Sequence, residues 1–124
     1  YKIIREIAAE DSCVIVGRGA DYILRDQSHV SIFLFAPLED RVKRKLALLS
    51  GQDAKNMTPA QMEKIVKQMD KQRRRYYEYY TDTKWGDRDS YDLLINTSRA
   101  GIDGAVKIIE TYIESSRGES MMPD

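Results

Sequence analysis

CVIVGRGADYIL, residues 13–24, decides how this chain is read. Cys13, Val14, Ile15 and Val16 form a short apolar run rich in β-branched side chains. Gly17-Arg18-Gly19 breaks the run, and residues 20–24 look like the start of a helical turn. A strand buried on both faces reads this way, apolar without polar alternation. Cys13 then reads as a packing residue inside the strand. Ligands of open α/β sheets collect at the carboxyl ends of such strands. Arg18 sits there, between two glycines that allow close approach to the backbone. Two readings stand. Arg18 grips a phosphate, or the turn is simply Gly-rich and its arginine solvated; the motif by itself favours the second.

Outward from this stretch, Ile3, Ile4, Ile7 and Ala8 make one apolar face of a short helix over residues 1–9. Residues 26–29 form a polar loop, and residues 30–36 (VSIFLFA) read as a second buried strand. The link between the two strands suits a right-handed crossover, so parallel pairing in one sheet is expected. Pro37 opens a helix with Glu39 and Asp40 in its first turn, where the helix dipole favours acids. Leu38, Val42, Leu46 and Leu49 line one face of it, while Arg41, Lys43, Arg44 and Lys45 occupy much of the rest. Residues 50–57 read as a loop.

Thr58-Pro59-Ala60-Gln61 has a capping hydroxyl, a proline at the first helical position and a glutamine three residues after the cap. The helix it starts is expected to reach about Tyr80. Its apolar stripe is Met62, Ile65, Val66, Met69, Tyr76 and Tyr80, and Arg73 falls on that stripe. Residues 81–90 form a loop holding Trp85, residues 91–96 (YDLLIN) a third strand, and residues 97–100 a link. Ile102, Val106, Ile109 and Ile113 mark a last helix, and residues 115–124 read as a frayed polar tail. Alternating strands and helices predict an α/β protein with a mostly parallel sheet.

The 124 residues suit one domain, with a core of modest size. Twenty basic residues balance twenty acidic ones, which argues against nucleic acid as a partner. One cysteine permits no internal disulfide, which fits a reducing cytoplasm. No stretch is apolar enough to span a membrane, and no signal peptide is expected from these residues. The chain starts at Tyr1 and offers few strands for its class, so it is expected to be part of a longer protein.

Three groups of residues could carry chemistry. Arg18 with Asp21 could hold a phosphate, since a guanidinium fork matches phosphate geometry; the plain alternative is a local surface ion pair. Arg41, Arg44 and Lys45 could neutralise a polyphosphate, or be a solvated helix face. Residues 70–80 (DKQRRRYYEYY) interleave arginines with tyrosines, as for stacking on bases, or form an exposed helix with i,i+3 salt bridges. Arg73 on an apolar stripe requires a partner such as Asp70, or a ligand. His29 is the single histidine, which removes support for His-based metal sites and triads. The 124 residues contain no G-x-x-x-x-G-K-[ST] and no dinucleotide glycine fingerprint.

Taken together, these stretches resemble the cytidylate kinase-like family, a branch of the nucleoside monophosphate kinases. Val14-Ile15-Val16-Gly17-Arg18 followed by Ser31-Ile32-Phe33-Leu34-Phe35-Ala36-Pro37 resembles its strand, Gly-Arg turn and strand. Glu39-Asp40-Arg41-x-x-Arg44 resembles the start of its lid helix. Most specific is Asp70-x-x-Arg73-x-x-Tyr76-Tyr77 with Thr81-x-x-Lys84-Trp85-Gly86-Asp87, followed by Tyr91-Asp92-Leu93 and Asn96-Thr97-Ser98. Bacterial members usually carry Gly-Arg-Asp; Gly19 stands in place of that acid, and Asp21 is the candidate substitute.

The resemblance implies a three-layer P-loop-kinase-like fold, a parallel sheet with helices on both faces, incomplete because the P-loop and its strand are not in these residues. Residues 1–114 would be the C-terminal part of such a domain, with the lid at about 38–80. The implied activity is transfer of the γ-phosphoryl of ATP, with Mg²⁺, to CMP, dCMP or a similar acceptor, the chain alone being inactive. Arg18, Asp21 and Tyr77 would bind the acceptor. Arg73, braced by Asp70, would be catalytic, and Arg41 and Arg44 would face ATP from the lid. The P-loop strand would lie between residues 13–16 and 31–36, which therefore would not pair directly. The slot would be filled by upstream sequence or by exchange with another copy of the chain. The competing reading is a non-catalytic lobe with a regulatory, assembly or RNA-binding role.

Overall fold

Burial of apolar surface starts where two helices meet. Helix α3 (Leu38–Ala47) has Glu39 and Asp40 in its first turn and Arg44 and Lys45 in its last, each matched to the dipole. Helix α5 (Pro59–Thr81) begins with a reciprocal cap: Thr58 Oγ1 accepts from the Gln61 amide at 3.2 Å, and Gln61 Oε1 accepts from the Thr58 amide at 2.9 Å. Val42, Met62 and Val66 are buried between these helices, and Leu38, Leu46, Leu49 and Met57 pack around them. The computed structural model describes residues 2–121, with side chains to residue 116.

The element order is α1 (Lys2–Glu10), α2 (Ala20–Ile23), β1 (Ile32–Phe35), α3, α4 (Gly51–Asn56), α5, a 3₁₀ turn (Arg88–Ser90), β2 (Leu93–Asn96) and α6 (Thr97–Met121). Strands β1 and β2 run parallel, with Ile32 opposite Leu93 and Phe35 opposite Asn96. The crossover between them carries α3, α4 and α5. Helix α6 packs against both strands. The chain is thus a mixed helix and strand structure with a small parallel sheet, as a kinase-like α/β fold requires.

Several expectations are corrected. Among the described residues the sheet has two strands, not three. Residues 13–16 have no regular structure, and Val14 and Val16 are 93% and 88% exposed. Extended backbone becomes a strand only with a neighbour to bond, and among the described residues this segment has none. Cys13 is exposed rather than packed. Strand β1 bonds to β2 alone among the described residues, and its Leu34 and Phe35 are exposed. Consistently, no ladder joins residues 13–16 to β1.

Residues 51–56 form α4 instead of a loop; Asp53 in its first turn and Lys55 in its last complement the dipole. The expected link after β2 is a helical turn, because Asn96 Oδ1 accepts from the Ser98 and Arg99 amides at 3.0 and 3.4 Å and starts α6 directly. Gly101 then kinks the helix. The backbone stays helical to Met121, into the stretch expected to fray, since extending a formed helix is far easier than starting one. Tyr1 and residues 122–124, which belong to the expected first helix and tail, lie outside the described residues.

The buried stripe of α5 is also rotated from expectation. Tyr77 and Thr81 are buried, while Tyr76 and Tyr80 are 40% and 48% exposed. Met62, Val66, Tyr77 and Thr81 follow spacings of four and eleven, whole turns of helix, so they share one face. The aromatic loop closes over β1: Trp85 meets the Phe33 ring edge-on at 5.3 Å, and Tyr91 lies 5.0 Å from it. A Cβ at Gly86 would come within 3.2 Å of Phe33, so the glycine permits this lid of rings.

Candidate functional site

The candidate residues fall into two clusters along α5 and one isolated turn. Asp70 and Tyr77 are seven residues apart, two turns along one face, roughly 10 Å. Each anchors a cluster.

At Tyr77 the centre is the Asp21 carboxylate. Tyr77 donates its hydroxyl to Asp21 Oδ2 at 2.7 Å, and Ser31 Oγ donates to the same oxygen at 3.4 Å. Thr81 and Thr83 hydroxyls bond each other nearby at 2.8 Å. Burial holds the Tyr77 phenol well above its ordinary value; a hydrogen bond with Thr83 opposes this, while the bond and charge of Asp21 add to it. Tyr91, stacked 6.4 Å from Tyr77, is raised by burial too. The phenol therefore stays a donor, and Asp21 stays engaged.

This corrects the pairing of Asp21 with Arg18. Gly17, Arg18 and Gly19 have φ of 74°, 63° and 64°, three successive left-handed residues. The exposed Arg18 makes no hydrogen bond or ion pair among the described residues. A left-handed arginine is unfavourable by about 1–2 kcal/mol, so surrounding structure has to hold it there. Gly19 is fitted to its place: a Cβ would lie 3.3 Å from the Thr81 methyl, at a φ that disfavours side chains. An acid at 19 would press on Thr81, and the carboxylate reaching Tyr77 comes from position 21.

At Asp70 the centre is a carboxylate among arginines. Arg41 Nη1 lies 2.9 and 2.7 Å from its two oxygens, and Arg41 Nε donates to the Ala36 carbonyl at 3.0 Å. Arg73 Nη1 stands further off, 3.6 Å from Asp70. Asp70 thus braces Arg41 more closely than Arg73, contrary to the expected order, because Arg41 is also fixed by the end of β1 while Arg73 is half exposed. Arg44 Nη1 donates to Thr97 Oγ1 at 2.8 Å, and its Nη2 lies 3.5 Å from Ser98 Oγ. Arg41, Arg44, Lys45 and Arg73 line one cleft of about 210 Å³ with Leu48, Val66 and Met69. A wider hollow of about 480 Å³ beside α4 is lined by Asp53, Asn56, Met57, Gln61, Lys64 and Ile65, where acid and base balance. Only the first concentrates positive charge, so it is the one suited to a polyanion.

The structure thus joins Arg41, Asp70, Arg73 and Arg44 around one cleft, and Asp21 with Tyr77 in another cluster. Sequence reasoning missed Ser31, Tyr91, Asp92 and Thr97 as parts of these arrangements. Asp92 Oδ2 accepts from the Ser31 amide at 2.7 Å and fixes the entry to β1. Tyr91-Asp92 and Thr97 stood in matched motifs, but their spacing says nothing of partners over sixty residues away.

The model of the cytidylate kinase-like family matches residues 1–99. The chain belongs to that family. The cytidylate kinase of Desulfurococcus amylolyticus is 32% identical over 111 residues, covering 90% of this chain and 57% of the relative. That of Saccharolobus islandicus is 29% identical over 114 residues, covering 92% and 57%. The crystal structure of an uncharacterized protein from Eubacterium ventriosum superposes with a TM-score of 0.81 at 32% identity, covering 92% of this chain and 62% of that one. This cytidylate kinase-like chain spans little more than half the length of the curated relatives it matches. No described helix is long and apolar enough to cross a membrane.

Proposed function

We propose that this chain supplies the acceptor and lid side of a site that moves the γ-phosphoryl of ATP to CMP, dCMP or a similar nucleoside monophosphate. The observation that carries this reading is the cleft of Arg41, Arg44, Lys45 and Arg73, two of whose arginines, Arg41 and Arg73, pair with Asp70. Phosphoryl transfer rests on positioning and on neutralising charge spread over phosphate oxygens. A cationic cleft between the lid helix and α5 suits that work. Arg73, half exposed and loosely held by Asp70, is free to move with a phosphate, and Arg18 is unpaired and open to the acceptor. Asp21 and Tyr77 are engaged with each other rather than offering open groups.

The described residues include no cluster of three or more metal-ligating side chains. They do not form a magnesium cage, so magnesium would arrive on the ATP phosphates. The 124 residues hold no G-x-x-x-x-G-K-[ST] loop, and turnover depends on a protein that provides one. The name of the curated relatives supports cytidylate as acceptor.

Calorimetry of the 124-residue chain with Mg-ATP, CMP and dCMP, alongside ADP release by a protein joining these residues to a P-loop, tests this. The chain should bind nucleotide without turnover, and the P-loop-bearing protein should turn over. Arg18→Ala should weaken CMP by roughly 1.5–3 kcal/mol and leave ATP unchanged, the loss of one charge-assisted contact. Arg73→Ala should lower kcat. Absence of both binding and transfer would support the non-catalytic reading instead.

A further inference from the structure

The two lid arginines are held in chemically different ways. Arg41 meets a carboxylate, so its charge is largely balanced inside the protein. Arg44 meets hydroxyls: Thr97 Oγ1 at 2.8 Å and Ser98 Oγ at 3.5 Å, with no carboxylate in ion-pair range among the described residues. A hydroxyl directs a guanidinium without neutralising it. Two of the five N–H bonds are engaged, and the rest remain for a ligand.

Thr97 is built to hold that direction. Its side chain is buried, 6% exposed, at the carboxyl end of β2. Its single hydroxyl proton goes to the Phe35 carbonyl at 3.2 Å, the last residue of β1. The oxygen lone pair therefore faces Arg44. The chain of bonds runs from Arg44 through the threonine oxygen to the Phe35 carbonyl, and references the middle of α3 to the sheet edge. An arginine already ordered loses less freedom when it binds an anion.

We propose that Thr97 is a positioning residue which keeps Arg44 aimed as the principal anion-binding cation of the cleft. The inference rests on the phosphate-site reading above and adds to it which arginine takes the anion and what holds it. The ligand chemistry is a linear polyphosphate.

The test uses the 124-residue chain, inorganic tripolyphosphate and ¹⁵N spectra of the arginine side chains. Thr97→Val keeps the shape of the residue and removes the hydroxyl; Thr97→Ser keeps the hydroxyl. Thr97→Val is expected to weaken tripolyphosphate about tenfold and to average the Arg44 Nη signals, and Thr97→Ser to restore both. Unchanged Arg44 signals in Thr97→Val would overturn the positioning role. Changed signals with unchanged affinity would overturn it as well, leaving a purely structural bond. If Thr97→Val does not fold, Arg44→Lys decides: it keeps the charge but loses the planar five-donor fork that spans the two hydroxyls and an anion together, and an affinity equal to wild type would refute the proposal. Failure of the unsubstituted chain to bind tripolyphosphate at all would overturn the phosphate-site reading itself, and is seen before any substitution is made.

Discussion

Tyr77 and Asp21 show what one part-buried pair of side chains can do. The phenol is kept protonated first by burial, then by the carboxylate it serves. Its folded value lies above the unfolded value of about 10. The associated stability is therefore complete below about pH 10, and is lost as pH rises through the folded value. Tyr77→Phe removes both the bond and the titration. At neutral pH it should destabilise the chain by about 1–2 kcal/mol, because Asp21 keeps only the long bond from Ser31. Above pH 10 its melting temperature should fall less steeply than that of the parent chain. Melting curves between pH 7 and 11.5 check this, and parallel slopes would show that the phenol does not titrate as argued.

Among the elements, α5 has the clearest start and the most varied surroundings. Its first turn is set locally by the Thr58 and Gln61 bonds, and its C-terminal half by contact with Asp21 and the aromatic loop. Thr58→Ala should lower stability by about 1 kcal/mol in urea unfolding, without changing the m-value. Glycine at 58 should restore most of that loss. The same helix carries Asp70, Arg73 and Tyr77, so loosening its start should also weaken tripolyphosphate slightly. No effect on stability would mean that packing against α3 alone holds this end.

At the scale of the molecule, apolar surface is left uncovered on the β1 side. Val14 and Val16 are 93% and 88% exposed, and Leu34 and Phe35 are 53% and 41% exposed. Among the described residues, β1 bonds to β2 alone. Unpaired strand edges beside apolar side chains drive association between copies. The 124-residue chain is therefore expected to self-associate reversibly at tens of micromolar concentration, by roughly the order that such edges support. Sedimentation velocity should show Val14→Lys with Val16→Lys shifting the population toward monomer. A sharp monomer for the unsubstituted chain would refute this.

Much of the architecture was legible in residue order because local chemistry decides it. The α3 face of Leu38, Val42, Leu46 and Leu49 and the cap at Thr58 depend on neighbours within a few positions, and the apolar run at 93–96 is likewise local, although its pairing with β1 is not. The motif from Asp70 to Asp87 identified the family for the same reason, and residues 1–99 match its model. Partners distant in sequence were not legible. That Asp21 serves Tyr77 rather than Arg18, that Arg41 takes Asp70 ahead of Arg73, and that Thr97 receives Arg44 depend on how helices and strands meet. Residues 13–16 have strand composition and no strand, because a strand is completed by hydrogen bonds to another segment. Periodicity sets which face of a helix is apolar, but only the tertiary contacts of α5 chose Tyr77 over Tyr76 for burial, by placing the half-buried Asp21 carboxylate within reach of its hydroxyl.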